Sequence, residues 1–165
     1  MTIPKMTSRT IPKNLLRSSL SSVTATHIVS LVLTVQTSGA GFVDLTGEVA
    51  KFVAEADAQD GAVTLFVRHT SASLTIQENA DPSVLVDLAA VLNRLAPETA
   101  NWSHDSEGPD DMPAHVKTML TATSLQIPVL GGRLALGTWQ AVYLIEHRRR
   151  THAREVVVQF IGNVG

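Results

Sequence analysis

The sequence predicts an α+β fold built on a mainly antiparallel sheet. Three observations carry this. Several segments rich in Val, Ile, Leu and Thr read as strands. Others read as helices from their caps and their apolar period. The two kinds follow one another without the regular alternation that a parallel sheet requires. The 165 residues suffice for one domain with its own core, and there is no internal repeat or low-complexity segment.

In order along the chain, residues 1–24 differ from the rest. They carry Lys5, Arg9, Lys13 and Arg17 but no acid, the first being Asp44. Pro4 and Pro12 interrupt any amphipathic transit helix there. The expected organisation is an N-terminal arm, disordered or docked on a neighbouring subunit, followed by a single domain over 25–165. His27 to Thr37 reads as a strand ended by Ser38-Gly39-Ala40-Gly41. Asp44 or Thr46 then caps a helix to about Asp57, with Val49, Phe52, Val53 and Ala56 on one face. Asp60-Gly61 reads as a turn. Ala62 to Val67 is apolar almost throughout and suits a strand buried on both faces. Leu74 to Asn79 alternates as another strand. Asp81-Pro82 is an N-cap with proline at the first helical position, opening a helix to about Ala96 that buries Leu85, Leu88, Leu92 and Leu95. Pro113 opens a helix to about Thr121. Leu125 to Leu130 is a short strand stopped by Gly131-Gly132, and Arg133 to Glu146 is a longer strand-like run. His147 to Ala153 is a basic turn, and Arg154 to Ile161 is the last strand.

Composition narrows the function. The chain is 44% hydrophobic, 17% charged and 4% aromatic, with net charge −2. So little charge points to surface hidden between subunits. Without a basic field or stacking platforms it does not suit nucleic acid. It has no cysteine, so no disulfide framework, thiolate nucleophile or cysteine-based zinc site. The apolar runs are strand-sized, short of the ~20 residues that span a bilayer. No apolar leader follows the basic start. A cytoplasmic protein with no membrane or nucleic-acid partner is expected.

The chemistry gathers between Trp102 and Lys117. Asp105, Glu107, Asp110 and Asp111 repel one another unless something cationic neutralises them. His104 lies on the same loop and His115 falls in the first turn of the next helix. This reads as half of a metal site, or as a solvated acidic turn. His69 ends a buried strand, as a hydrogen-bonded structural residue or as the third imidazole of a zinc site with one open position. Ser71 and Ser73 lack the Gly-x-Ser-x-Gly elbow of a hydrolase and suit phosphate better, beside Arg68. The acidic loop lacks EF-hand spacing, and there is no Gly-x-Gly-x-x-Gly or Walker A loop. Arg148-Arg149-Arg150 reads as a solvated turn, with an anion contact second.

Five segments taken together resemble a known family. They are His69 to Pro82, His104 to Lys117, Gly132-Arg133-Leu134, Gly137-Thr138-Trp139-Gln140 and Glu146-His147-Arg148. Over about His27 to Gly162 the chain resembles the YjbQ family, small proteins often labelled secondary thiamine-phosphate synthases. Gln77 stands where the pattern has Asn. The resemblance implies a β-sandwich or barrel-like core with a few flanking helices, a homotrimer and a polar site at the subunit interface. It carries a metal role onto His69, His104 and His115. It makes Glu78, Asp81, Glu107, Asp110 and Asp111 catalytic candidates. Arg68, Thr70, Ser71, Ser73, Asn79, Lys117, Trp139, Gln140, Glu146 and Arg148 become substrate-binding candidates. The function so implied is a divalent-metal enzyme, with Zn²⁺ favoured by histidine ligation, acting on a small phosphorylated ligand. It would join a thiazole phosphate to a pyrimidine pyrophosphate. The alternative is a non-catalytic trimeric module in which metal or ligand staples subunits.

Overall fold

The computed structural model describes residues 18–165. Most of the expected arm lies outside them, and residues 18–26 run exposed without helix or strand. The elements that follow are β1 (His27–Thr37), β2 (Gly41–Asp44), α1 (Thr46–Glu55), β3 (Ala58–Val67), β4 (Ala72–Glu78) and α2 (Pro82–Leu95). Then come α3 (Asp111–Leu120), β5 (Ser124–Leu130), β6 (Arg133–Leu134), β7 (Gln140–Glu146) and β8 (His152–Val164).

The fold is α+β, and every strand pairing is antiparallel. A five-stranded sheet has the order β1-β8-β3-β5-β6, and a three-stranded sheet has the order β2-β7-β4. Period-two alternation turns Val63, Leu65 and Val67 of β3 and Val156, Val158 and Phe160 of β8 into the core. There they meet Leu74, Val142 and Leu144 of the smaller sheet and Val49, Phe52 and Val53 of α1. The site described below sits where β4 begins and β7 ends, since Ala72 pairs with Glu146.

Several elements differ from expectation, each for a local reason. Gly41 starts a short strand, β2, instead of only ending β1, because a four-residue edge strand leaves almost no pattern. Asp60-Gly61 is not a turn. It lies inside β3, beside a bulge at Ala58/Asp60, and Gly61 pairs with Gly162. A Cβ on either glycine would run into the other's Cα and into the Phe160 ring, so the strands approach only as a glycine pair. The run from Arg133 to Glu146 breaks into β6 and β7, with Gly137 N–H donating to Gln140 Oε1 at 2.8 Å in the turn between them. The N-cap of α1 is Leu45, not Asp44 or Thr46, although Asp44 accepts from Thr46 N–H at 2.8 Å just ahead of it, whereas Asp81 does cap α2, accepting from Ser83 N–H at 2.8 Å. The leucines of α2 are not fully buried, however, and Leu95 is 60% exposed.

Candidate functional site

α3 starts at Asp111, two residues before the expected Pro113. That places Asp111 at the first helical position and His115 one turn further in, on the same face. The loop ahead of α3 folds back and lays His104 on the same carboxylate. His104 Nε2 is 2.8 Å from Asp111 Oδ2, and His115 Nε2 is 3.4 Å from that same oxygen. The two imidazole rings lie edge to face, 5.7 Å between centroids. One ligand atom from each of His104, Asp111 and His115 lies within 4.8 Å of the others. Asp111 is buried, while His104 and His115 have side chains 45% and 33% exposed, so the cluster has a solvent side.

Its orientation is set from behind. Arg148 donates through Nη1 to Asp111 Oδ1, through Nε to Asp110 Oδ2 at 3.2 Å and through Nη2 to the Glu107 carbonyl at 2.8 Å. The Arg149 N–H adds a 2.8 Å bond to Asp110 Oδ2. Burial pushes the Asp110 carboxyl up, but these donors outweigh it and hold it below the usual carboxylate range. Arg148 is therefore a mostly buried clamp, not part of a solvated basic turn. His115 Nδ1 lies 3.0 Å from the Thr70 carbonyl. A carbonyl only accepts, so Nδ1 carries a proton, and in the neutral ring Nε2 then keeps its lone pair towards Asp111.

His69 does not join this cluster. Its Nδ1 accepts from Ser71 N–H at 3.3 Å and lies 3.2 Å from Ser71 Oγ, which leaves the proton on Nε2. Burial first, and then Arg154, lowers its pKa and keeps it neutral. It lines a concavity with Thr70, His115, Thr118 and Met119. Ser71 is buried and accepts from Arg154 Nη2 at 3.1 Å, so it links His69 to a core ion pair. That pair is Arg154 with Glu146, donating at 2.7 Å through Nε and 2.6 Å through Nη2. Burial raises the Glu146 pKa, but Arg154, Arg148 N–H and Thr37 overcome this and lower it on balance. Ser73 is fully buried and lies 2.8 Å from His147 Nε2. Lys117 is buried too, donating to Asn93 Oδ1 at 2.7 Å, and burial lowers its pKa.

The remaining candidates lie elsewhere. Arg68 is half-exposed and paired with Glu155 at 2.9 Å. Glu78 pairs with Gln140 at the other end of the β4–β7 ladder, six residues or ~20 Å from the Ala72–Glu146 end. Asn79, bonded to the Trp139 carbonyl at 3.0 Å, is there as well, and Asp81 is occupied as the α2 cap. Sequence reasoning missed Arg154, His147 and Asn93. Arg154 did leave a signal: it falls in phase with Val156, Val158 and Phe160, a charge on the inward face of a strand.

These features define a class: a two-sheet α+β domain carrying a two-histidine, one-carboxylate cluster at the end of its smaller sheet. Within that class the chain belongs to the YjbQ/UPF0047 family, whose model, described as UPF0047 protein YjbQ-like, matches residues 31–163. It is similar to a UPF0047 protein of Synechocystis sp., 49% identical over 81% of this chain and 91% of the relative. It is also similar to the UPF0047 protein YjbQ of Salmonella typhimurium, 41% identical over 74% and 89% of the two chains. A solved YjbQ/UPF0047 structure from Clostridium acetobutylicum is 37% identical with a TM-score of 0.74, covering 79% of this chain and 99% of its own. A hypothetical protein from Aeropyrum pernix is 28% identical with a TM-score of 0.76, covering 82% and 99%.

Proposed function

We propose that this protein is a homotrimeric zinc enzyme acting on a small phosphorylated substrate, with His104, Asp111 and His115 as the metal ligands. The observation that carries the reading is the contact between His115 Nε2 and Asp111 Oδ2. In the neutral ring the Thr70 carbonyl fixes the imidazole proton on the far nitrogen. Two electron-rich acceptors therefore face each other at 3.4 Å, an arrangement that favours a cation between them. Two imidazoles and one carboxylate suit Zn²⁺ better than Mg²⁺, which prefers oxygen. The solvent side favours a catalytic site over a closed staple between subunits.

A divalent metal held there would neutralise phosphate charge as a Lewis acid. The chain's own residues do the positioning. Arg148 fixes the Asp111 carboxylate, and the Thr70 carbonyl fixes the His115 ring. His69 presents its Nε2–H into the concavity it shares with His115, where it can donate to a phosphate oxygen. Transfer between a thiazole phosphate and a pyrimidine pyrophosphate, with pyrophosphate leaving, is the reaction we assign to it as a weak activity. A trimer would offer the divided candidates a shared site between subunits. Glu78, Asn79, Trp139 and Gln140 lie at the far end of the β4–β7 ladder, ~20 Å from its Ala72–Glu146 end, too far to serve the cluster within one chain. They are available to a neighbouring subunit.

The test is zinc titration of the metal-stripped protein. About one Zn²⁺ per chain should bind, His115→Ala should abolish binding, and Asp111→Asn should weaken it by at least roughly 10-fold, the lower end of what outer-sphere changes cost. Binding that survives both substitutions would overturn the assignment.

A further inference from the structure

On the other side of α3 lies a cleft that the metal cluster does not use. Lys117 is two residues beyond His115, about 200° round the helix, and the residues lining this cleft include none of those that line the His69–His115 concavity. The cleft has two chambers that meet at Ala40, Asn93, Lys117 and His147. The inner chamber, about 120 Å³, is walled mainly by Phe42, Ala89, Leu92 and Ile145. The outer one, about 370 Å³, opens past Glu98, Thr99 and Arg149. Lys117 and His147 thus stand where the two chambers meet, one walled by apolar side chains and the other also lined by Glu98, Thr99 and Arg149.

The charges around this junction are uneven. Glu146 is paired with Arg154, Asp110 with Arg148, and Glu98 with Arg149. Lys117 is, among the described residues, the buried cation that forms no ion pair; it has only the neutral Asn93 oxygen. A buried ammonium uses three donors when satisfied, and two remain for a ligand.

Proton accounting defines what His147 offers. Thr121 Oγ1 lies 2.7 Å from both the Lys117 carbonyl and Ser73 Oγ. The carbonyl has no proton, so the Thr121 proton belongs to that contact, the usual back-bond of threonine to the preceding helical turn. The Ser73 hydroxyl then donates to Thr121, and His147 Nε2–H donates to Ser73 across 2.8 Å. This direction removes His147 as a base for Ser73 and leaves no serine nucleophile here. It also makes His147 Nδ1 the acceptor, and no side chain among the described residues occupies it.

We infer that this cleft binds a small anionic molecule with a short apolar body. Its carboxylate or phosphate group would sit against Lys117, and its body would fill the inner chamber. A hydroxyl or N–H beside the anionic group would find His147 Nδ1. The inference rests on the cleft alone and is independent of the metal assignment.

Calorimetric titration of the full-length protein with butyrate and with n-butyl phosphate tests it, using butanol as the neutral control. At least one anion should bind, and butanol should bind at least tenfold more weakly. Lys117→Met should reduce anion affinity at least tenfold. Ala89→Met, which fills the inner chamber and leaves the lysine in place, should reduce it as well. His104→Ala should leave it unchanged. Which anion binds distinguishes a carboxylate from a phosphate ligand. The inference is overturned if neither anion binds, if both chamber variants bind like wild type, or if His104→Ala removes binding and so assigns it to the metal cluster.

Discussion

Asp111 divides its two oxygens, giving Oδ1 to Arg148 and Oδ2 to the two histidines, so one guanidinium governs both stability and geometry at the cluster. Replacing Arg148 with alanine leaves Asp110 and Asp111 buried without their cation. Removing one partner of a buried ion pair typically costs ~3–5 kcal/mol. Urea denaturation of Arg148→Ala should show a loss of that order, and Arg148→Lys should recover only part, because a single ammonium cannot reach all three acceptors. His147 supplies a pH signature of the same kind. Its pKa is pushed down to about 4 by burial and by the neighbouring Lys117, while an unfolded histidine titrates near 6.5. Above pH 6.5 both states are neutral and the protein has its full stability. Below it the unfolded chain takes up a proton that the fold refuses, so stability falls as pH drops from 6.5 towards 4, by up to ~3 kcal/mol. His69, also held low, adds to the loss in the same direction. The lowered carboxyls of Glu146 and Asp110 act further down, losing their contribution as pH falls through the ordinary carboxylate range and below it. Thermal melts from pH 4 to 7.5 should show this slope in wild type and a shallower one in His147→Gln; equal slopes would remove His147 as its source.

Among the elements, β3 and β8 approach closely at Gly61 and Gly162, where a methyl group would meet backbone and the Phe160 ring. Gly162→Ala should therefore destabilise by ~1–3 kcal/mol, the usual cost of overpacking, and chemical denaturation would read it. An unchanged midpoint would mean that the strands can separate freely there. The same place shows why sequence reading fell short. Asp-Gly is a strong turn signal, and only the partner glycine a hundred residues away converts it into a strand crossing. Elements specified locally were legible: β1 by its run of Val, Leu and Thr, α2 by Asp81-Pro82, α1 by its apolar face. The site was half legible. His104, His115 and the acidic loop stand out because their types crowd together in sequence. Placing Asp111 beside the two histidines required knowing that α3 begins two residues early, and α3 has no side-chain cap to announce its start. Separating Glu78, Asn79, Trp139 and Gln140 from the cluster required the β4–β7 register, which no single segment encodes.

At the level of the whole molecule, α2 carries Val86, Val91 and Leu95 exposed, and the larger sheet shows Ile28, Val32, Phe66 and Ile161 on its outer face. Surface of this kind in a chain so poor in charge is characteristic of subunit contacts. Light scattering should give about three times the 17.7 kDa chain mass, and a monomer that persists at all concentrations would sink the trimer. The ladder between β1 and β8 has a different consequence. Among the described residues these are the first and last strands, and they pair in unbroken register from His27 opposite Gly162 to Thr37 opposite His152. During synthesis β1 emerges from the ribosome well before β8 and has no partner for its backbone until β8 follows it out. The larger sheet therefore closes only once β8 has been made. Until then β1 is an unpaired edge in the nascent chain, the segment for which a chaperone would have the most to do.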